Sequence, residues 1–326
     1  MLENFIKNKI IHALPFVPNE GQQALLEHLS DFLACRDERK AFVLKGYAGT
    51  GKTSIMAAIV KALSELQQRV VLLAPTGRAA KVLARYATQS AYTIHKYIYR
   101  QNKLGVDAFS LTDNKNKNTL FIVDEASMIP NAGGSSFGSG ALLDDLIEFV
   151  YSGTGCSLLL LGDSAQLPPV GEIESPALSL HYLKGLFLQC YSMEMVQVMR
   201  QLDGSGILQN ATMLREMISR GEEGVIPNIR LKGFADVCRV QGDTLIEAIE
   251  GCYNDVGTDE TIILCRSNKR ANVYNEGIRR RILYREDELN RGDMLMVVKN
   301  NYYWREVLGR EDKSILEKLD FIANGD

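Results

Sequence analysis

Up to about residue 195, short runs of apolar residues alternate with stretches in which apolar positions recur every three to four residues. The runs are AFVLK at 41–45, VVLLA at 70–74, LFIVD at 120–124, SLLLL at 157–161 and LFLQC at 186–190. Runs this short and this uniformly apolar fit strands covered on both faces, so the pattern predicts an open, mostly parallel α/β sheet. Between the first two runs, KTSIMAAIVKALSEL places Ile55, Ile59, Leu63 and Leu66 on one face of a helix.

Two polar stretches interrupt this alternation. Residues 97–118, ending TDNKNKN, predict a small hairpin or subdomain projecting from the sheet, and NAGGSSFGSG at 131–140 predicts a mobile surface loop. Beyond residue 195 a new unit is expected, with TLIEAIEGCY as a helix, TIILC as a strand, KRANVYNEGIRRRIL as a helix and MLMVVK as a strand. Arg279, Arg280 and Arg281 read as a solvated helix face. The last residues, FIANGD, read as a strand entering a turn, as if a domain should continue.

With 326 residues, 46% apolar and 24% charged, the chain is expected to be globular with about two domains. A formal charge of −3 supplies no global attraction to a polyanion, so any nucleic acid must be met by a local groove. The amino-terminal MLENFIKNKIIHALPF is amphipathic but broken by Lys7, Lys9 and His12 before a signal-like core can form. No apolar run approaches membrane-spanning length, and a cytoplasmic protein without a membrane partner is expected. The six cysteines form no CxxC pair and the four histidines no HExxH, which favours free thiols over a metal site.

The strongest chemical signal is GYAGTGKT, from Gly46 to Thr53, placed between a predicted strand and a predicted helix. It has the G-x-x-x-x-G-K-[ST] form, in which backbone N–H groups wrap phosphates, the lysine bridges the outer phosphates and the hydroxyl holds Mg²⁺. A nucleotide is expected, with phosphates on Gly46, Ala48, Gly49, Thr50, Gly51, Lys52 and Thr53. LFIVDEAS then delivers Asp124 and Glu125 to a strand end, the first to share the metal with Thr53 and the second to polarise water. If SLLLL lies beside LFIVD, Asp163 and Gln166 emerge near the terminal phosphate, and an amide there can sense whether that phosphate is present. Pro168 and Pro169 stiffen the segment after Gln166, so that movement at the amide is passed onward.

At this point the motifs resemble a family. GYAGTGKT, APTGRAAKVL, YTIHK, IVDEASMI, GDSAQLPPVGE and VMRQ occur in the order and approximate spacing of motifs I, Ia, Ib, II, III and IV of superfamily 1 helicases. The branch resembled is the RecD/Dda/Pif1-like one, including exodeoxyribonuclease V alpha subunits. It implies a P-loop NTPase of two RecA-like domains clamping ATP and moving 5′ to 3′ on single-stranded DNA, in repair, recombination or replication. On that basis residues 1–18 are an amino-terminal segment, 19–195 the first RecA-like domain with an insertion at about 97–118, and 196–326 an incomplete second domain.

The resemblance also implies residue roles. NEGQQ resembles the adenine-reading segment, with Gln22 ahead of Gln23, and Lys52, Asp124, Glu125 and Gln166 serve catalysis with Arg200 as an arginine finger. Thr76, Arg78, Thr93, His95 and Lys96, with Ser267 and Asn268 of CRSNKR, are the implied DNA contacts, all to the backbone and without sequence preference. Motifs V and VI of the family are not found in this sequence, so part of a longer helicase is expected, able to bind nucleotide but weak in hydrolysis. The competing reading is a non-motor P-loop protein or a nucleotide kinase, which would want an Arg-rich lid and no GDxxQLPPV. A nuclease would want clustered acidic and lysine motifs that are not seen.

Overall fold

The computed structural model describes residues 2–47, 49–101, 109–131, 138–196, 204–222 and 224–295. These fall into two compact units, one up to residue 196 and one from 204 to 295.

The first unit runs α1 (Leu2–Ala13), α2 (Glu20–Ala34), β1 (Lys40–Gly46), α3 (Lys52–Glu65), β2 (Arg69–Ala74), α4 (Gly77–Ala87), β3 (Ala91–Thr93) and α5 (Ile94–Ile98). It continues with β4 (Tyr99–Gln101), β5 (Phe109–Leu111), β6 (Thr119–Val123), α6 (Leu142–Ser152), β7 (Ser157–Gly162), α7 (Leu180–Gly185) and β8 (Gln189–Met195). Six strands form one sheet in the order β3-β2-β6-β7-β1-β8, and every neighbouring pair is parallel. A parallel sheet needs cover on both faces, and successive residues of each strand supply it. Phe42, Leu44, Leu72, Ile122 and Leu161 join Leu25, Leu29, Ile55 and Ile59 in one apolar layer. Ala41, Val43, Leu73, Phe121 and Leu160 join Ile94, Leu143 and Leu146 in the other. Ile6 and Ile10 of α1 enter the first layer, which gives the amphipathic amino terminus its buried face.

β6 and β7 are neighbours, with Ile122 opposite Leu159, so the strand ends carrying Asp124 and Asp163 emerge side by side. The insertion forms an antiparallel hairpin, with Tyr99 opposite Leu111. Gly138 and Ser139, the end of the Gly/Ser stretch, are anchored: Gly138 N–H donates to the Phe109 carbonyl at 3.1 Å and Ser139 N–H to Asp145 Oδ2 at 3.0 Å. Asp145 also accepts from the Tyr99 hydroxyl at 2.6 Å. Residues 132–137 lie outside the described residues.

Two strand expectations are corrected. LFLQC is not one strand, because Leu186 and Phe187 close α7: the Leu186 N–H donates to the Tyr182 and Leu183 carbonyls, and Phe187 turns left-handed at φ 60. The strand begins only at Gln189. In the second unit the described residues hold α8 (Gly206–Ser219), α9 (Leu245–Asp255) and α10 (Asn268–Arg281) and no strand. Thr261–Cys265 joins no ladder and exposes Ile262 and Leu264, since an apolar alternation makes a strand only where a neighbour supplies hydrogen bonds. Met294 and Leu295 are likewise exposed, and the rest of MLMVVK lies outside the described residues.

Candidate active site

Parallel strands deliver all their carboxyl ends to one edge, and ligands of open α/β sheets bind outside that edge. Here β1 ends in the Gly46–Thr53 loop, β6 in Asp124 and Glu125, β7 in Asp163, and β2 and β3 in the segments holding Thr76 and Thr93.

The loop is bound from several sides. Thr50 is fully buried; its hydroxyl and its N–H both donate to the Tyr47 carbonyl, at 2.8 and 3.3 Å, and close a tight turn. Gly51, at φ 93, leads into α3 by a conformation that costs glycine nothing. A Cβ on Gly46 would stand 3.0 Å from Met195 Cβ and 3.2 Å from the Met195 carbonyl, so a side chain there would require β8 to give by a few tenths of an ångström. Lys52 heads α3, and its ammonium donates to the Gly46 carbonyl and to that of Tyr47 at 3.0 Å. Thr53 follows it, half-buried in the first turn; Ala48 lies outside the described residues.

Asp124 Oδ1 accepts the Glu125 N–H at 2.9 Å, and Glu125 sits in the left-handed region at φ 54. Burial pushes the Asp124 carboxyl up, opposed by that hydrogen bond and by the Lys52 charge. Burial also raises Glu125, helped by the Asp124 charge, while Lys52 and a hydrogen bond with Gln166 work the other way and Asp163 adds to the rise. Gln166 thus lies near Glu125, on the turn that follows the neighbouring strand. Asp163 builds the turn that aims it: its Oδ1 accepts the Ala165 N–H at 2.9 Å and its carbonyl the Gln166 N–H at 3.2 Å. Lys52, Asp124, Glu125, Asp163 and Gln166 thus form one charged cluster. Thr53 and Asp124 offer oxygen donors of the kind that a hard divalent cation such as Mg²⁺ takes.

Gln22 is buried, and both ends of its amide are committed. Oε1 accepts the Asn19 N–H at 3.1 Å, Nε2 donates to the Thr50 carbonyl at 3.2 Å, and its own N–H donates to Asn19 Oδ1 at 2.8 Å. Gln23 is exposed, its amide on the Pro18 carbonyl at 3.2 Å.

Three of the implied DNA contacts share one local role. Thr76, Thr93 and Ser267 each cap a helix, accepting from the N–H groups of Ala79 at 3.2 Å, Lys96 at 3.2 Å and Arg270 at 3.3 Å. A capped helix start still presents its other first-turn N–H groups to an anion. Arg78 is exposed in the first turn of α4, Lys96 is half-buried in α5, and Asn268 opens α10 at the surface of the second unit. His95 is half-buried, its ring 5.8 Å from that of Tyr99, and burial pushes its pKa down, so it is neutral at pH 7. Arg200 lies outside the described residues.

The sequence reading missed Asn19, Met195 and Ser175. Asn19 had a signal in the N-x-x-Q capping box of its own stretch. Ser175, whose hydroxyl reaches the Ala126 and Ile129 carbonyls at 2.9 and 2.7 Å, ties the segment after Gln166 to the turn after Glu125. It had none, and neither had Met195.

Residues 18–222 match the AAA domain family. The chain belongs to that family. As an AAA domain it carries the nucleotide-binding architecture that the loop and sheet describe. It is 26% identical over 322 residues to the uncharacterized protein R530 of Acanthamoeba polyphaga mimivirus, an alignment covering 87% of this chain and 60% of that one. Over 201 residues it is 30% identical to the ATP-dependent RecD2 DNA helicase of Deinococcus radiodurans, covering 60% of this chain and 24% of the relative. Over 295 residues it is 24% identical to the ATP-dependent DNA helicase dda of phage T4, covering 87% and 62%. A Pif1 helicase structure from Candida albicans superposes with a TM-score of 0.44 at 18% identity, over 87% of this chain and 57% of that one. The relatives bear out the resemblance to RecD/Dda/Pif1-like helicases. The chain spans less than two thirds of the length of each of these relatives. Among the described residues no helix is long and apolar enough to cross a membrane.

Proposed function

We propose that this chain belongs to the motor part of an ATP-dependent DNA helicase or translocase that moves 5′ to 3′ on single-stranded DNA, in repair, recombination or replication. The observation that carries the reading is the convergence of the Gly46–Thr53 loop, Asp124, Glu125 and Asp163 at the carboxyl edge of the sheet, with capped helix starts at Thr76 and Thr93 on the same edge. ATP lies with its phosphates on the N–H groups of the Gly46–Thr53 loop. Lys52 would exchange its carbonyl partners for the outer phosphates, Thr53 and Asp124 would hold Mg²⁺, and Glu125 would orient the attacking water. Bound Mg²⁺ offsets negative charge on the phosphates. Gln166, near Glu125, reads whether the terminal phosphate is in place. Gln22 reads adenine or holds the loop, and Arg200 completes the site as an arginine finger. Thr76, Arg78, Thr93, His95 and Lys96 grip the DNA backbone, joined by Ser267 and Asn268 of a second RecA-like domain. The domain division at residues 195 and 196 and the cytoplasmic setting belong to this reading.

A motor must let nucleotide and DNA change each other's affinity. The test is the anisotropy of a labelled oligothymidylate, titrated with and without a non-hydrolysable ATP analogue and Mg²⁺. The expected result is a shift of fivefold or more, within the usual range of roughly 5 to 150, retained in Glu125→Gln and lost in Lys52→Ala. DNA binding that ignores the nucleotide in the unsubstituted chain overturns the reading.

A further inference from the structure

The outward face of α4 carries Arg78, Lys81, Val82, Arg85 and Tyr86, all exposed. Their spacing of three, four, seven and eight residues from Arg78 puts them on one stripe of a helix. α4 contains no acidic residue, in a chain whose formal charge is −3. The opposite face is buried through Ala80, Leu83 and Ala87, so the stripe is fixed in orientation by the core. Arg78 to Arg85 spans two turns, about 10 Å at 1.5 Å per residue. The stripe starts at the helix end that Thr76 caps. Tyr92, on the edge strand β3, is also exposed and packs its ring 5.6 Å from that of Tyr97. Glu65, which lines a groove together with Tyr86, is ion-paired with Lys9 at 3.2 Å.

Three cations in a row, flanked by an aliphatic and an aromatic side chain, match the chemistry of a single strand: phosphates against charges and a base on a ring. We infer that the outer face of α4 is a second single-stranded DNA surface, along which the strand continues from the Thr76 end of the helix, with phosphates on Lys81 and Arg85 and a base against Tyr86. This rests on the DNA-motor reading above and extends it beyond the helix starts. A double helix offers no free base to Tyr86, so the single strand is the occupant that uses the whole stripe.

The experiment compares two oligothymidylates over a salt series: the shortest that binds, and one several nucleotides longer. In the unsubstituted chain the longer strand should bind more tightly and with a steeper salt dependence, by about 0.7 in the exponent for each added phosphate contact. The double variant K81Q/R85Q should lose that extra steepness and leave the short strand and Mg·ATP binding unchanged. Tyr86→Ala should weaken the longer strand roughly fivefold or more without touching its salt exponent. Equal weakening of both strands, or of neither, overturns the inference while leaving the motor reading intact. So does a blunt duplex that binds through Lys81 and Arg85 as well as the long strand does. If the unsubstituted chain binds neither strand, the motor reading itself falls and this surface with it.

Discussion

The side-chain amide of Gln22 donates to the carbonyl of Thr50 at 3.2 Å and fastens the start of α2 to the phosphate loop. Because Oε1 is also taken, by Asn19 N–H, truncation removes two hydrogen bonds to the backbone, and the one to the Thr50 carbonyl is buried. Gln22→Ala should therefore destabilise the first unit by about 1–3 kcal/mol, read as a lower urea midpoint. Calorimetry with ATP and GTP then separates the two roles in play. A residue that holds the loop weakens both nucleotides alike, whereas one that reads adenine weakens ATP alone.

Gly51→Ala tests the same junction from the other side. Its φ of 93 is strained for alanine, and the added methyl would stand 2.8 Å from Gln22 Nε2. The expected cost is about 1–3 kcal/mol, together with loss of nucleotide affinity, both measurable on the purified variant. Unchanged stability and affinity would mean that the turn into α3 is looser than this geometry implies.

Glu125 supplies a pH signature. Its carboxyl is raised in the folded chain, first by burial and then by Asp124, so the folded state holds its proton more tightly than the unfolded state does. Stability is then lost as pH rises from the ordinary value, about 4.3, through the raised one, and the penalty is complete above it. Glu125→Gln should raise the thermal midpoint at neutral pH, with the gain vanishing below about pH 4. A gain independent of pH would assign the effect to packing instead.

His95 behaves as a neutral ring at pH 7 because burial lowers its pKa. A depressed value contributes stability that is full above the unfolded pKa, about 6.5, and is lost as pH falls toward the lower folded one. In DNA binding a neutral ring displaces no counterion. His95→Gln should therefore leave the salt exponent unchanged, while Lys96→Gln lowers it by about 0.7. A drop in the exponent for His95→Gln at pH 7 would contradict the neutral assignment.

What the sequence made legible was whatever is encoded locally. Four apolar runs became β1, β2, β6 and β7 because strands buried on both faces need nothing but apolar residues, and the Gly46–Thr53 loop is a contiguous motif. LFLQC misled because apolar residues closing a helix look the same in sequence as those opening a strand. TIILC misled because pairing is a property of neighbours. The contacts at Met195 and Ser175 were invisible for the same reason, each depending on a backbone carbonyl or a glycine far away in the chain. Asn19 was legible through its capping spacing.

The pairing of β1 has a consequence for how the chain reaches this fold. β1 takes its hydrogen-bonding neighbours only from β7 and β8, with Ala41 opposite Leu158 and Lys40 opposite Gln189. The helices α1, α2 and α3 form from nearby residues, but the strand that carries the phosphate loop stays an open edge until Met195 has joined the chain. During synthesis a nascent chain shorter than that has the whole Gly46–Thr53 motif on a strand with at most one of its two neighbours. Contacts of such sequence separation close slowly, and an unpaired apolar strand is exposed to wrong partners meanwhile. Nucleotide capture thus waits for β8, although the motif that performs it is among the first to be made.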